Sequence, residues 1–167
     1  RRLIDPSVVE ILSFPRNTNE LVQNLHHHWM AYFDNISSLR ECDSDTLCRA
    51  VTGEGFSKRE LYTDDDDIIY TFRRCVGLNG INVSATKPNI LDRSILIELD
   101  RIPPSERRTE EDLRDAFEKE MPKLFGAALD ALSKAMRIVP SVQLTTLPRM
   151  ADFARWGTAV ADALGYG

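Results

Sequence analysis

Trp29-Met30-Ala31-Tyr32-Phe33-Asp34-Asn35-Ile36-Ser37 is a short apolar run that meets no charge until Asp34. A run of this kind suits a strand of a parallel sheet covered on both faces. Asp34 stands just past its end, where open α/β sheets place their ligands. Many buried strands also end in Asp because Asp favours turns, so the reading depends on what surrounds the run.

Upstream, Arg1–Asp5 reads as the tail of a helix closed by Pro6, and 7–12 as a strand or a turn of helix. Asn17 or Thr18 then caps a helix whose apolar face is Leu21, Val22 and Leu25. Downstream, Asp43-Ser44-Asp45 begins a helix that carries Leu47, Cys48 and Val51 inward and stops at Gly53. Lys58–Tyr62 and Ile68–Phe72 are rich in β-formers, and Thr63–Asp67 lies between them, so the pair reads as a β-hairpin. Cys75–Leu78 is a further short strand running into Asn79-Gly80-Ile81-Asn82, and Ser94–Leu99 is another, mostly apolar. Beyond Pro103-Pro104 the composition turns helical. Thr109 with Asp112 makes a start resembling a capping box, and Pro122 suits the first turn of a next helix. That helix has Leu124, Phe125, Ala128, Leu129, Leu132 and Met136 as its core face, and a last helix carries Met150, Phe153, Gly157, Val160 and Leu164 as one stripe. The division expected is an α/β part over 1–103 and a helical part over 104–167.

With 43% hydrophobic and 28% charged residues in 167, the chain reads as globular. A net charge of −5 argues against nucleic-acid binding by overall charge and leaves a local basic face open. No apolar run approaches the roughly 20 residues that span a bilayer, so no membrane is expected. The three cysteines have no CxxC spacing, which points to a reducing, cytoplasmic setting and against zinc. His26-His27-His28 does not converge on an ion, because successive helical side chains diverge by about 100°. The run Asp64–Asp67 lacks the central Gly and closing Glu of a calcium loop and reads as a solvated turn.

The order of these features resembles an AAA+ P-loop ATPase, and more closely the ATPase domain of phage- and mobile-element-associated primase/helicase-like proteins. Phe33–Ser37, Leu78–Ile81, Ile90–Arg93 and Pro148–Ala154 carry the resemblance, which covers nearly the whole chain. It implies the C-terminal part of a P-loop parallel sheet with a β-hairpin insertion, followed by an α-helical lid. Asp34 would be the Walker B carboxylate that positions Mg²⁺. Asn35 stands where most relatives carry the Glu that orients the attacking water; an amide orients water but cannot take its proton. Asn79 would be sensor 1, although an Asn–Gly turn after a strand accounts for the same residues. Arg93 would be an arginine finger reaching a neighbouring subunit, or else an ion-pair partner of Asp92. Arg149 would be sensor 2, or a surface arginine at a helix start. Lys58, Arg59, Arg73 and Arg74 are the DNA-facing candidates of the hairpin.

Residues 1–167 contain no G-x-x-x-x-G-K-[ST]. The expectation is therefore a chain that begins just after Walker A, with the strand feeding the P-loop belonging between the sensor-1 strand and Ile95–Leu99. The functional expectation is part of an ATP-hydrolysing, helicase-like domain acting on DNA as a homo-oligomeric ring, with ATP and Mg²⁺. The residues alone are expected to bind ATP negligibly. The alternative is a non-catalytic, degenerate ATPase that serves assembly, and a metal-dependent hydrolase ranks third because no ligand spacing supports it.

Overall fold

A computed structural model describes residues 1–59, 67–80 and 87–166, and the chain divides into two compact units, Arg1–Ile95 and Leu96–Gly167.

In the first unit, Asn17 caps α1 (Thr18–His27), its side chain accepting from the Glu20 N–H at 2.9 Å. α1 buries Leu21, Val22 and Leu25 against β2 (Met30–Asp34). Ala31 and Phe33 are fully buried, while Met30, Tyr32 and Asp34 on the other face are half-buried. The expected cover on both faces is thus realised on one, and β2 alternates as a one-sided strand does.

β2 lies between β1 (Leu12–Ser13) and β5 (Cys75–Leu78) in a parallel sheet of order β1-β2-β5, with Leu12 opposite Phe33 and Phe33 opposite Leu78. α2 (Glu41–Thr52) starts two residues before the expected Asp43. Asp43 is instead a buried side chain clamped by Arg40 through two bonds of 2.7 Å. Gly53 ends α2 at φ 88°, a left-handed conformation that favours glycine.

β3 (Phe56–Arg59) and β4 (Asp67–Tyr70) are antiparallel, with Phe56 opposite Tyr70 and Lys58 opposite Ile68. The expected strands at 58–62 and 68–72 shift accordingly, since the pairing begins at Phe56, whose ring stacks on Phe72 at 5.3 Å. Of the expected loop Thr63–Asp67, Asp67 begins β4 instead, and the rest of it, the strand end Glu60–Tyr62, and Ile81 with Asn82 lie outside the described residues. A short helix, α3 (Pro88–Leu91), packs on α2. The protein is therefore a mixed α/β chain with a small parallel sheet of three strands and several helices.

The strand expected at Ile95–Leu99 does not form. These residues have no regular structure, and Ile95, Leu96, Ile97 and Leu99 are 64–87% exposed. A strand needs a neighbour's N–H and C=O groups, and propensity does not supply them.

In the second unit, Pro122 does not begin a new helix but lies inside α4 (Glu110–Ile138). Proline in a helix interior costs about 3 kcal/mol through a lost hydrogen bond and a ring clash, so flanking helix formers offset it. Thr109 caps α4, accepting from the Asp112 N–H at 3.1 Å, and its hydroxyl donates to Asp112 Oδ2 at 2.6 Å. This bond holds the Asp112 carboxyl below its ordinary pKa. Thr109→Ala should lower stability by about 1 kcal/mol, read as a drop in the thermal midpoint of helical circular dichroism.

α4 packs against α5 (Ala151–Leu164), and the fully buried residues of the pair are Ala135 and Ala159. The expected core face is largely in solvent: Leu124, Phe125, Leu129, Leu132 and Met136 are 45–59% exposed, and so is Phe153 at 55%. Two helices meeting through small residues bury only the seam between them. Among the described residues, no helix is long and apolar enough to cross a membrane.

Candidate functional site at the C-terminal rim of the parallel sheet

Asp34 ends β2 half-buried, and Asn79 follows β5 exposed. The ladder extends past the strands, with the Asn79 N–H donating to the Phe33 carbonyl at 2.9 Å and the Ile36 N–H to the Asn79 carbonyl at 3.0 Å. This framework delivers the Asn79 side chain to Asp34, where Nδ2 donates to Oδ1 at 2.6 Å. A hydrogen bond to a carboxylate is among the stronger kinds, and here it orients both groups. Two residues separated by 45 positions in sequence thus form one polar pair.

Asn35 stands at φ 55°, among the described residues the one non-glycine with positive φ. Asparagine tolerates this left-handed conformation better than most residues. The conformation lets the chain turn after Asp34 and puts Ile36 into the core at 4% exposure while Asn35 faces solvent. Ser13, at the end of β1, is registered opposite Asp34 and joins the same rim. Sequence reasoning missed Ser13 because a two-residue strand carries almost no pattern of its own.

The remaining predicted site residues lie elsewhere. Arg93, after α3, donates to the Asn89 carbonyl at 2.8 Å, and its buried Nε meets no hydrogen-bond partner among the described residues. Asn89 in turn donates to Asp45 of α2 at 3.3 Å, so Arg93 is tied to the α2–α3 contact. Arg149 precedes α5 in the second unit. Lys58 and Arg59 lie on β3, and their side chains are outside the description.

Arg73 donates to the Thr52 carbonyl at 3.0 Å, and Arg74 to the carbonyls of Leu25 at 3.1 Å and His26 at 3.3 Å. Each arginine thus meets a helix C-terminus, where orphan carbonyls and the helix dipole favour a cation. That role was not visible in the sequence, because the carbonyls it satisfies are tens of residues away.

His28 stands half-buried at the C-terminal end of α1. Burial first, and then the Arg1 guanidinium 2.8 Å from Nδ1, push its pKa below 6.5. Arg1 donates, so Nδ1 accepts and the ring is neutral. At pH below about 6.5 the unfolded chain takes up a proton that the folded chain resists. The stabilisation is full above that value and is lost as pH falls through it. The thermal midpoint should fall between about pH 7.5 and 5.5, with a flatter profile in His28→Gln.

The protein is thus of the mixed α/β class with a small open parallel sheet, and its hydrogen-bonded carboxylate and amide stand at the C-terminal rim, the edge where open α/β sheets in general place ligands. Neither curated proteins nor solved structures give a match. The chain belongs to the actinomycete integrative conjugative element replication protein family, whose model matches residues 1–167. Its setting is therefore the replication of a mobile element.

Proposed function

We propose that the chain is part of an ATP-hydrolysing, AAA+-like replication protein that acts on DNA, with Asp34 as its metal-positioning carboxylate. The observation that carries this reading is the 2.6 Å bond from Asn79 to Asp34 across adjacent parallel strands. It joins a carboxylate and an amide where a nucleotide-binding sheet needs them. A hard oxygen donor at an open rim fits Mg²⁺. Oδ1 accepts from Asn79, and Oδ2 is the oxygen offered to a hydrated cation. When bound, Mg²⁺ neutralises phosphate charge.

In this reading Asn79 aims the carboxylate and presents its amide to the terminal phosphate, and Asn35 orients water without taking its proton. Arg93 serves a neighbouring subunit of a homo-oligomeric ring, Arg149 adds a second cation, and Lys58, Arg59, Arg73 and Arg74 face DNA. The reading requires a phosphate-gripping loop that residues 1–167 do not contain.

The test is ATP hydrolysis by the full-length protein, with and without DNA, beside Asp34→Ala and Arg93→Ala. Turnover should fall to background in both, and subunits with an intact Arg93 should rescue Arg93→Ala on mixing. No turnover in the wild type would overturn the reading. It would favour the non-catalytic assembly module, which two observations support: Asn35 in the glutamate position, and the exposed apolar side chains of α4 and α5.

A further inference from the structure

Resting on the replication reading above, we propose that Trp29 and Arg74 form a base-stacking contact for single-stranded DNA. The contact lies at the end of β2 opposite Asp34. Trp29 sits between α1 and β2 with 63% of its surface exposed. The Arg74 guanidinium lies 5.3 Å from the centre of its ring and 5.2 Å from that of Phe72. Arg74 is held there by its bonds to the Leu25 and His26 carbonyls, so the ring and the cation share one oriented arrangement. The exposed side chains of Arg73, His26 and His27 belong to the segments on either side.

An indole face accepts any base, and neighbouring cations draw the phosphate backbone. Charge selects nucleic acid over an apolar protein partner. Two guanidiniums belong to the segment beside the ring, and Asp5, bonded to the Met30 N–H at 2.8 Å, is matched by Arg1 at 3.6 Å. The helix C-terminus offsets part of the Arg74 charge, so stacking on Trp29 supplies most of the affinity from this patch. At about 3.3 Å per residue, β2 separates Trp29 from Asp34 by roughly 16 Å, and the two sites can be probed independently.

The experiment titrates full-length protein into a fluorescent oligothymidylate without nucleotide and follows anisotropy across a salt series. Trp29→Ala should weaken binding about 5- to 100-fold, while the slope of log affinity against log salt stays unchanged. Trp29→Phe should recover most of the loss. The proposal is overturned if the wild type does not bind, if Trp29→Ala binds within about twofold of it, or if Trp29→Phe is as weak as Trp29→Ala. A Trp29→Ala protein with intact DNA affinity and altered oligomer size would assign the patch to protein contacts and overturn it too. A wild type that binds DNA through Trp29 yet hydrolyses no ATP would sink only the hydrolysis reading.

Discussion

Phe33→Ala should lower the unfolding free energy by about 3–5 kcal/mol, enough to leave much of the first unit unfolded at ambient temperature. Phe33 is fully buried, is among the largest fully buried side chains, and meets Phe14 edge-on at 5.1 Å. Truncation removes that apolar surface and leaves a cavity beneath β2 that α1 and α2 cannot close without breaking their own packing. Urea unfolding of the 167-residue chain, followed by circular dichroism, measures the loss. A loss below about 1 kcal/mol would mean the site collapses freely and that Phe33 does not anchor the sheet. Because Phe33 adjoins Asp34 and its carbonyl accepts from the Asn79 N–H, the substitution should also loosen the Asp34–Asn79 pair.

Gly77→Ala should cost about 1–3 kcal/mol from a single added methyl group. Gly77 is registered opposite Tyr32. A Cβ there would overlap Tyr32 Cδ2 and stand 2.7 Å from Cε2 and 3.3 Å from Cγ. The glycine is needed for space, since the Tyr32 ring lies across the β5 backbone. A turn about the last side-chain bond moves Cδ2 and Cε2 but leaves Cγ, the base of the ring, at 3.3 Å, so the approach stays tight unless the whole ring shifts. The check is a double-mutant cycle. Tyr32→Ala removes the ring, so Gly77→Ala should then cost far less, giving a coupling energy above about 1 kcal/mol. Additive costs would show that the ring swings clear and that the close approach is not what excludes a side chain.

Much of the first unit was legible along the chain because the signals are local. A cap at Asn17 or Thr18, the Leu21–Val22–Leu25 face and Gly53 as a stop each act within one turn of helix, and the apolar run at Trp29–Phe33 is a strand by its own pattern. The candidate carboxylate was legible for the same reason, standing at the end of that run. The bond that makes Asp34 part of a pair was not legible, because it comes from Asn79 across a strand pairing that depends on sheet order. The caps supplied by Arg73 and Arg74 were hidden likewise.

Misreadings arose where local propensity was asked to settle a tertiary question. Ile95–Leu99 has the composition of a strand, but its backbone groups meet no neighbour among the described residues. Pro122 carries the signature of a helix start, yet the helix formers on either side carry α4 through it. The stripe Leu124–Met136 has the spacing of a core face, but spacing reports amphipathicity and not what lies opposite.

The sequence by itself determined the mixed α/β character, the caps of α1 and α4, and the position of Asp34, because these depend on residues within a few places of one another. Only the tertiary structure decided that β2 lies between β1 and β5, that Asn79 reaches Asp34, and that Trp29 stands exposed beside Arg74. Each of these requires long-range pairing, whose register is set by the packing of α1 and α2 on one sheet face.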